Sequence, residues 1–148
     1  MIKVNIIIDY QPWKLKLKNP NLYLKKRLEK ISKRKILKNN SQEFSIMLTN
    51  KIMMKKLNHK FRKKNKPTDV LAFPFSKDRL NQKYIGDIAV CYEIINQRSK
   101  KSNFRYEFDK MWIHGYLHLI GYKHKRNIDY KLMLNKEQKI IKQFDYKF

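Results

Sequence analysis

Three of the chain's four histidines, His114, His118 and His124, fall within one stretch of eleven residues. His114 and His118 are four positions apart. On a helix they share one face, with Cβ atoms about 5–6 Å apart. Gly121 comes three residues after His118, and glycine is the residue that ends a helix in a left-handed conformation. The chain then turns back, and His124 can bring a third nitrogen from outside the helix. At this histidine frequency, random placement puts two more histidines at fixed offsets from a first in roughly 0.3% of cases. That weighs against reading all three as ordinary packed side chains. Three neutral imidazoles make a metal site with one tetrahedral position open, the arrangement of catalytic rather than structural zinc. Zinc is the expected ion, one per chain, although imidazole also suits nickel and copper. Cys91 is the side chain that could close the site, but it falls on an expected core strand.

The spacing His-x3-His-x5-His, with Gly121 between, matches the ligand pattern of the metzincin proteases, His-Glu-x-x-His-x-x-Gly-x-x-His. Those enzymes keep a glutamate general base directly after the first histidine. Here that position is Gly115. The ligand pattern survives and the peptidase base does not, which points away from proteolysis.

The elements that must hold these side chains can be read from periodicity. Residues 2–9 alternate as a strand, with Ile2, Val4, Ile6 and Ile8 on one face. Asn19-Pro20 starts a helix that the apolar spacing carries to about Leu37. Residues 43–49 read as a second strand, and 51–60 as a short helix with Met53, Met54 and Leu57 inward. A basic loop spans 62–66. Strands at 70–75 and 85–90 are joined by a polar connection. Helices at about 93–100, 104–120 and 128–143 finish the chain, the last with Met133, Ile140, Ile141 and Phe144 on one side. The expected fold is α/β (α+β), a mixed sheet of about four strands covered by helices, in a single domain over 1–148.

Composition sets the setting. The chain has 148 residues and a formal net charge of +24. Such a field draws polyanions, nucleic acid above all. Most of the basic residues are Lys, and Lys, Ile and Asn are all abundant. AT-rich codons alone would produce that profile, so the charge does not prove a partner. The single cysteine, Cys91, excludes an internal disulfide and suits a reducing cytoplasm. No apolar run approaches the ~18 residues of a membrane span, so no membrane partner is expected. The segment Met1–Asp9 does not read as a signal peptide, being short in apolar residues and carrying Asn5 and Asp9.

The block His114-Gly-Tyr-Leu-His-Leu-Ile-Gly-Tyr-Lys-His124 resembles the signature of the YbeY family of endoribonucleases, His-Gly-x-Leu-His-Leu-x-Gly-Tyr-Asp-His. Other blocks agree in order: Leu57-Asn58, Phe61-Arg62, the run Lys66-Pro-Thr-Asp-Val-Leu-Ala-Phe-Pro-Phe75, Ile85-Gly-Asp-Ile88, and Met133 with Glu137. The resemblance implies a single-strand-specific, metal-dependent endoribonuclease of the cytoplasm. It implies zinc on His114, His118 and His124, and work on ribosomal RNA and the small ribosomal subunit: maturation of the 3′ end of 16S rRNA and late ribosome quality control. It also places an arginine at Arg62, whose planar fork matches phosphate oxygens, so Arg62 and His114 are the expected catalytic residues. The simpler reading of Arg62 is the start of a basic surface loop.

Two positions depart from the family pattern. Lys123 stands for an Asp that could orient a ligand imidazole, and Ala72 stands for a Ser. Asp69 and Asp87 are acidic candidates with plain turn or backbone roles as alternatives. Tyr116 and Tyr122 could stack on bases or simply pack, and His59 reads as a surface residue. The competing functions are a non-catalytic ribosome- or RNA-binding factor with a structural metal and, further off, a metzincin-like metalloprotease.

Overall fold

A computed structural model describes residues 1–37, 41–75 and 83–148. The first strand, β1 (Lys3–Ile8), turns Val4, Ile6 and Ile8 inward, while Ile7 stays exposed. A short helix follows, α1 (Trp13–Leu17). Sequence periodicity does not reveal it, because one turn and a half is too short to show a repeat. Tertiary contact holds it: Trp13 is wholly buried and its indole N–H donates to the Thr49 carbonyl at 2.9 Å.

Asn19 caps α2 (Pro20–Lys33) by accepting from the Leu22 amide at 3.1 Å, a contact worth about 1 kcal/mol. The helix stops short of the expected Leu37. Lys35 takes a positive φ of 53°, and Ile36 and Leu37 are buried by the turn rather than by a helical face. Apolar spacing alone does not separate those two causes. Asn50 caps α3 (Lys51–Arg62) through the Met53 amide at 3.0 Å, and Asn103 caps α5 (Phe104–Leu119) through the Tyr106 amide at 3.2 Å. Strands β2 (Glu43–Thr49), β3 (Val70–Pro74) and β4 (Tyr84–Cys91), with helices α4 (Tyr92–Ser99) and α6 (Asn127–Ile141), complete the order. Most of the polar connection between β3 and β4 lies outside the described residues.

The sheet order is β1-β2-β4-β3. β1, β2 and β4 run parallel and β3 pairs antiparallel to β4. This is the mixed α/β sheet the sequence leads one to expect. Its two faces have unequal cores. Phe44, Ile46, Leu48, Ile88 and Val90 face α2 and α5 in the large core, and Leu71, Ala89 and Cys91 join Met54 of α3 in a small one. A one-residue register shift between Glu43 and Phe44 lets both Ile85 and Ile88 reach the large core, which strict alternation forbids.

A charged hub sits beside the large core. Asp109 of α5 is fully buried and accepts from the Tyr23 hydroxyl (2.9 Å), the Trp112 indole (2.8 Å) and the Tyr146 hydroxyl (2.6 Å). Arg27 Nε lies 3.2 Å from Asp109 Oδ2, an ion pair not aligned as a hydrogen bond. The Arg27 guanidinium sits over the rings of Phe144 (4.3 Å) and Tyr23 (4.7 Å). The hub ties α2, α5 and the segment after α6 together and anchors the N-terminal half of the helix that carries the histidines.

Candidate metal centre

His114 and His118 lie on the last turns of α5, and the end of that helix is built to recruit His124. Gly121 takes φ 110°, a conformation costly for residues with a Cβ. The Tyr122 amide bonds back to the Leu117 carbonyl (2.9 Å) and the Gly121 amide to the His118 carbonyl (3.1 Å), the paired bonds of a Schellman cap. The chain reverses there, and His124 returns over the helix end.

The three rings converge. Their centroids are 4.6 Å (His114–His118), 4.8 Å (His118–His124) and 5.6 Å (His114–His124) apart. One nitrogen from each lies within 4.8 Å of the others, and no further His, Cys or carboxylate joins the group among the described residues.

Two of the rings are oriented by their outer nitrogens. His114 Nδ1 lies 2.6 Å from Glu137 Oε1, on α6. A carboxylate only accepts, so Nδ1 donates, and Nε2 is the nitrogen left facing the other two rings. His118 Nδ1 donates to the Tyr122 carbonyl at 2.9 Å, which again frees Nε2. Burial, and then the neighbouring His114 and His124 rings, push the His118 imidazole down to about 4. It is neutral at neutral pH, as a ligand must be. The two Nε2 atoms are 3.1 Å apart. Nitrogens facing at that distance repel unless a proton or a metal ion lies between them. Metal–nitrogen bonds of about 2.0–2.1 Å set ligands of a tetrahedron roughly 3.3 Å apart. The donor set therefore fits a divalent transition metal, and a three-histidine site capable of coordinating one is present.

Gly115 has a packing reason. A Cβ there would sit 2.9 Å from Ile88 Cγ2 on β4. The helix lies against the sheet where a metzincin carries its glutamate, so that side chain has no room.

The histidines line a cleft of about 480 Å³ together with Arg62, Thr68, Asp69, Tyr122 and Lys123. Arg62 is exposed at the end of α3, and Lys63 closes that helix in a left-handed cap. The following loop is tethered where Asn58, buried in α3, donates from Nδ2 to the Lys66 carbonyl at 2.8 Å. Asp69 also faces the cleft, but both its oxygens are engaged. Oδ1 accepts from the Val70 amide at 2.8 Å and Oδ2 pairs with Arg98 at 2.9 Å, the turn role weighed for it above.

The remaining candidates lie elsewhere. Asp87 is exposed and accepts from the Tyr84 hydroxyl; it lines a groove with Met47 and Phe73, which pack with the small core. Cys91 is buried in that small core and does not close the histidine site. Tyr116 is buried against Phe44 and donates to Gln42, so it packs and does not stack on a ligand. His59 is exposed on α3, apart from the cluster.

The model of the family described as endoribonuclease YbeY matches residues 8–145. The chain belongs to the YbeY family. YbeY from Pelagibacter ubique is 37% identical over 147 residues, covering 96% of this chain and 95% of that one. YbeY from Buchnera aphidicola of Acyrthosiphon pisum is 40% identical, covering 97% and 94%. The solution structure of TM1509 from Thermotoga maritima superposes with a TM-score of 0.64 at 29% identity, over 97% of this chain and 88% of that one.

Sequence reasoning matched Glu137 to the YbeY pattern without giving it a task. One signal was available: Glu137 is four residues after Met133 and three before Ile140, both buried on α6. A carboxylate on an apolar stripe needs a partner. The Tyr122 carbonyl left no such trace, because every residue has one. These two acceptors orient His114 and His118, the task weighed for an Asp at position 123.

Proposed function

We propose that this chain is a single-strand-specific, zinc-dependent endoribonuclease acting over its whole length, 1–148. Its substrate in this reading is ribosomal RNA of the small subunit, at the 3′ end of 16S rRNA, during late maturation and quality control in the cytoplasm. The observation that carries the reading is the open set of three imidazoles sharing one cleft with Arg62. Family membership and a net charge of +24 support it.

His114, His118 and His124 would hold the ion. When bound, it supplies Lewis-acid polarisation of a phosphoryl oxygen and lowers the pKa of water. Glu137 and the Tyr122 carbonyl keep the His114 and His118 rings in their ligand tautomers. Arg62 binds the phosphate with its planar fork and stabilises charge that develops there. Asp69, held by Arg98 and the Val70 amide, shapes the cleft rather than taking a proton.

The test is incubation of zinc-loaded protein with single-stranded and duplex RNA, with and without chelator. Chelator-sensitive cutting of the single strand is expected. Chelator-insensitive binding with no cutting would instead make the chain a binding factor with a structural metal, and casein digestion would make it a protease. Mapping 16S 3′ ends in cells depleted of the protein tests the cellular substrate; correctly matured ends would remove that assignment.

A further inference from the structure

The histidine cleft does not end at the imidazoles. Past Gly121, Tyr122 and Lys123, which line it, the surface continues into a second depression of about 370 Å³ bordered by those same three residues and by Arg126, Asp129 and Leu132. Both volumes lie in the range of ligand sites, and the shared residues make them one continuous path.

The charges along this path are unequally committed. Arg126 is held bidentately by Asp129, at 2.8 and 3.1 Å. Asp69 is held by Arg98, and Glu137 by His114. Arg62 and Lys123 have no ion-pair partner among the described residues. Both are exposed, and they come from different elements, Arg62 from the end of α3 and Lys123 from the turn between α5 and α6. One phosphate needs one fork. Two uncommitted cations on separate elements, along an extended path, suit a chain with successive phosphates. Half-buried Tyr122 and exposed Leu132 add apolar surface in the second depression, where a sugar or base can rest.

We propose that Lys123 is a second phosphate-binding point and that the depression beside it holds the nucleotide flanking the cleaved linkage. The proposal rests on the nuclease reading above. It gives the Lys at this position a task of its own, distinct from the orienting role that an Asp could perform there and that Glu137 and Tyr122 already fill.

Zinc-loaded full chain is assayed on two fluorescein-labelled single-stranded oligoribonucleotides, one short and one extended on both sides of the cut. The wild type prefers the longer substrate in kcat/KM. Lys123→Ala lowers that preference about tenfold, the effect of losing one charged hydrogen bond, and Lys123→Arg restores it. The salt slope of binding to the longer strand falls by about 0.7 in Lys123→Ala, as for one lost phosphate contact on a single strand. Lys123 is exposed, so these variants fold. Unchanged length preference and salt slope in Lys123→Ala overturn the proposal and leave the nuclease reading intact. If the wild type neither binds nor cuts either RNA, both fall.

Discussion

Asp109 and His118 both belong to α5, and their surroundings are built on opposite terms. Asp109 is sealed. Three neutral donors and one guanidinium reach it, from α2, from α5 itself and from the segment after α6. His118 is half-buried. Its Nδ1 is satisfied by the Tyr122 carbonyl, while its Nε2 faces another Nε2. A charge in a low-dielectric interior is tolerated only when it is paired and hydrogen-bonded, so the completed cluster is architecture. Three imidazoles whose nitrogens converge at a half-open helix end form instead a donor set capable of coordinating a metal ion. The same helix carries both, and the sealed end gives the open end a rigid base.

The largest expected effect tests the sealed end. Asp109→Ala leaves the buried Nε of the partly buried Arg27 without its partner and should cost about 3 kcal/mol in urea unfolding of the apo protein. Metal affinity of the fraction that remains folded should stay near wild type. A loss below about 1 kcal/mol would mean the hub is not structural, since surface pairs reach only that value.

At the open end the ordering reverses. His118→Ala should lower zinc affinity by more than about 100-fold, beyond the range of changes that only orient a ligand, with little change in apo stability. Competition with a chromophoric chelator measures the first and denaturant titration the second. If stability falls and affinity does not, His118 is a packed residue.

Glu137→Gln sits between these extremes. It keeps the shape and removes the charge behind His114, so zinc affinity should drop about 10–100-fold. The His114 ring in the apo protein should also lose its fixed Nδ1–H tautomer, which nitrogen NMR reads directly. A ring that stays in one tautomer would show that packing, not Glu137, orients it.

Arg62→Lys should have the smallest effect of the four. The charge remains and the fork is lost, so cleavage should fall about tenfold, the value of one charged hydrogen bond, while zinc affinity holds. Unaltered cleavage would reduce Arg62 to the surface-loop residue its exposure also permits.

The legible parts of this protein were those carried by near neighbours in the chain. The four-residue step between His114 and His118, the glycine that closes α5, the asparagine that caps α2, and the alternation of β1 and β2 all act within a few residues. Helix and strand geometry turn such spacing directly into direction. The same logic failed where burial imitates periodicity, at Ile36 and Leu37, and where an element is too short to repeat, at Trp13–Leu17.

From the sequence alone came the ligand trio, the class of sheet, the excess of positive charge and the resemblance that led to the family. Only the tertiary structure decided which polar groups were spent and which were free. Glu137 lies 23 residues from His114, and Tyr23 lies 86 from Asp109. Arg62 reaches the cleft from another helix, while Asp87 turns into a different groove and Cys91 into the small core. A hydrogen bond tolerates only a few tenths of an ångström about its preferred length, and contacts so distant along the chain exist only once the core has packed.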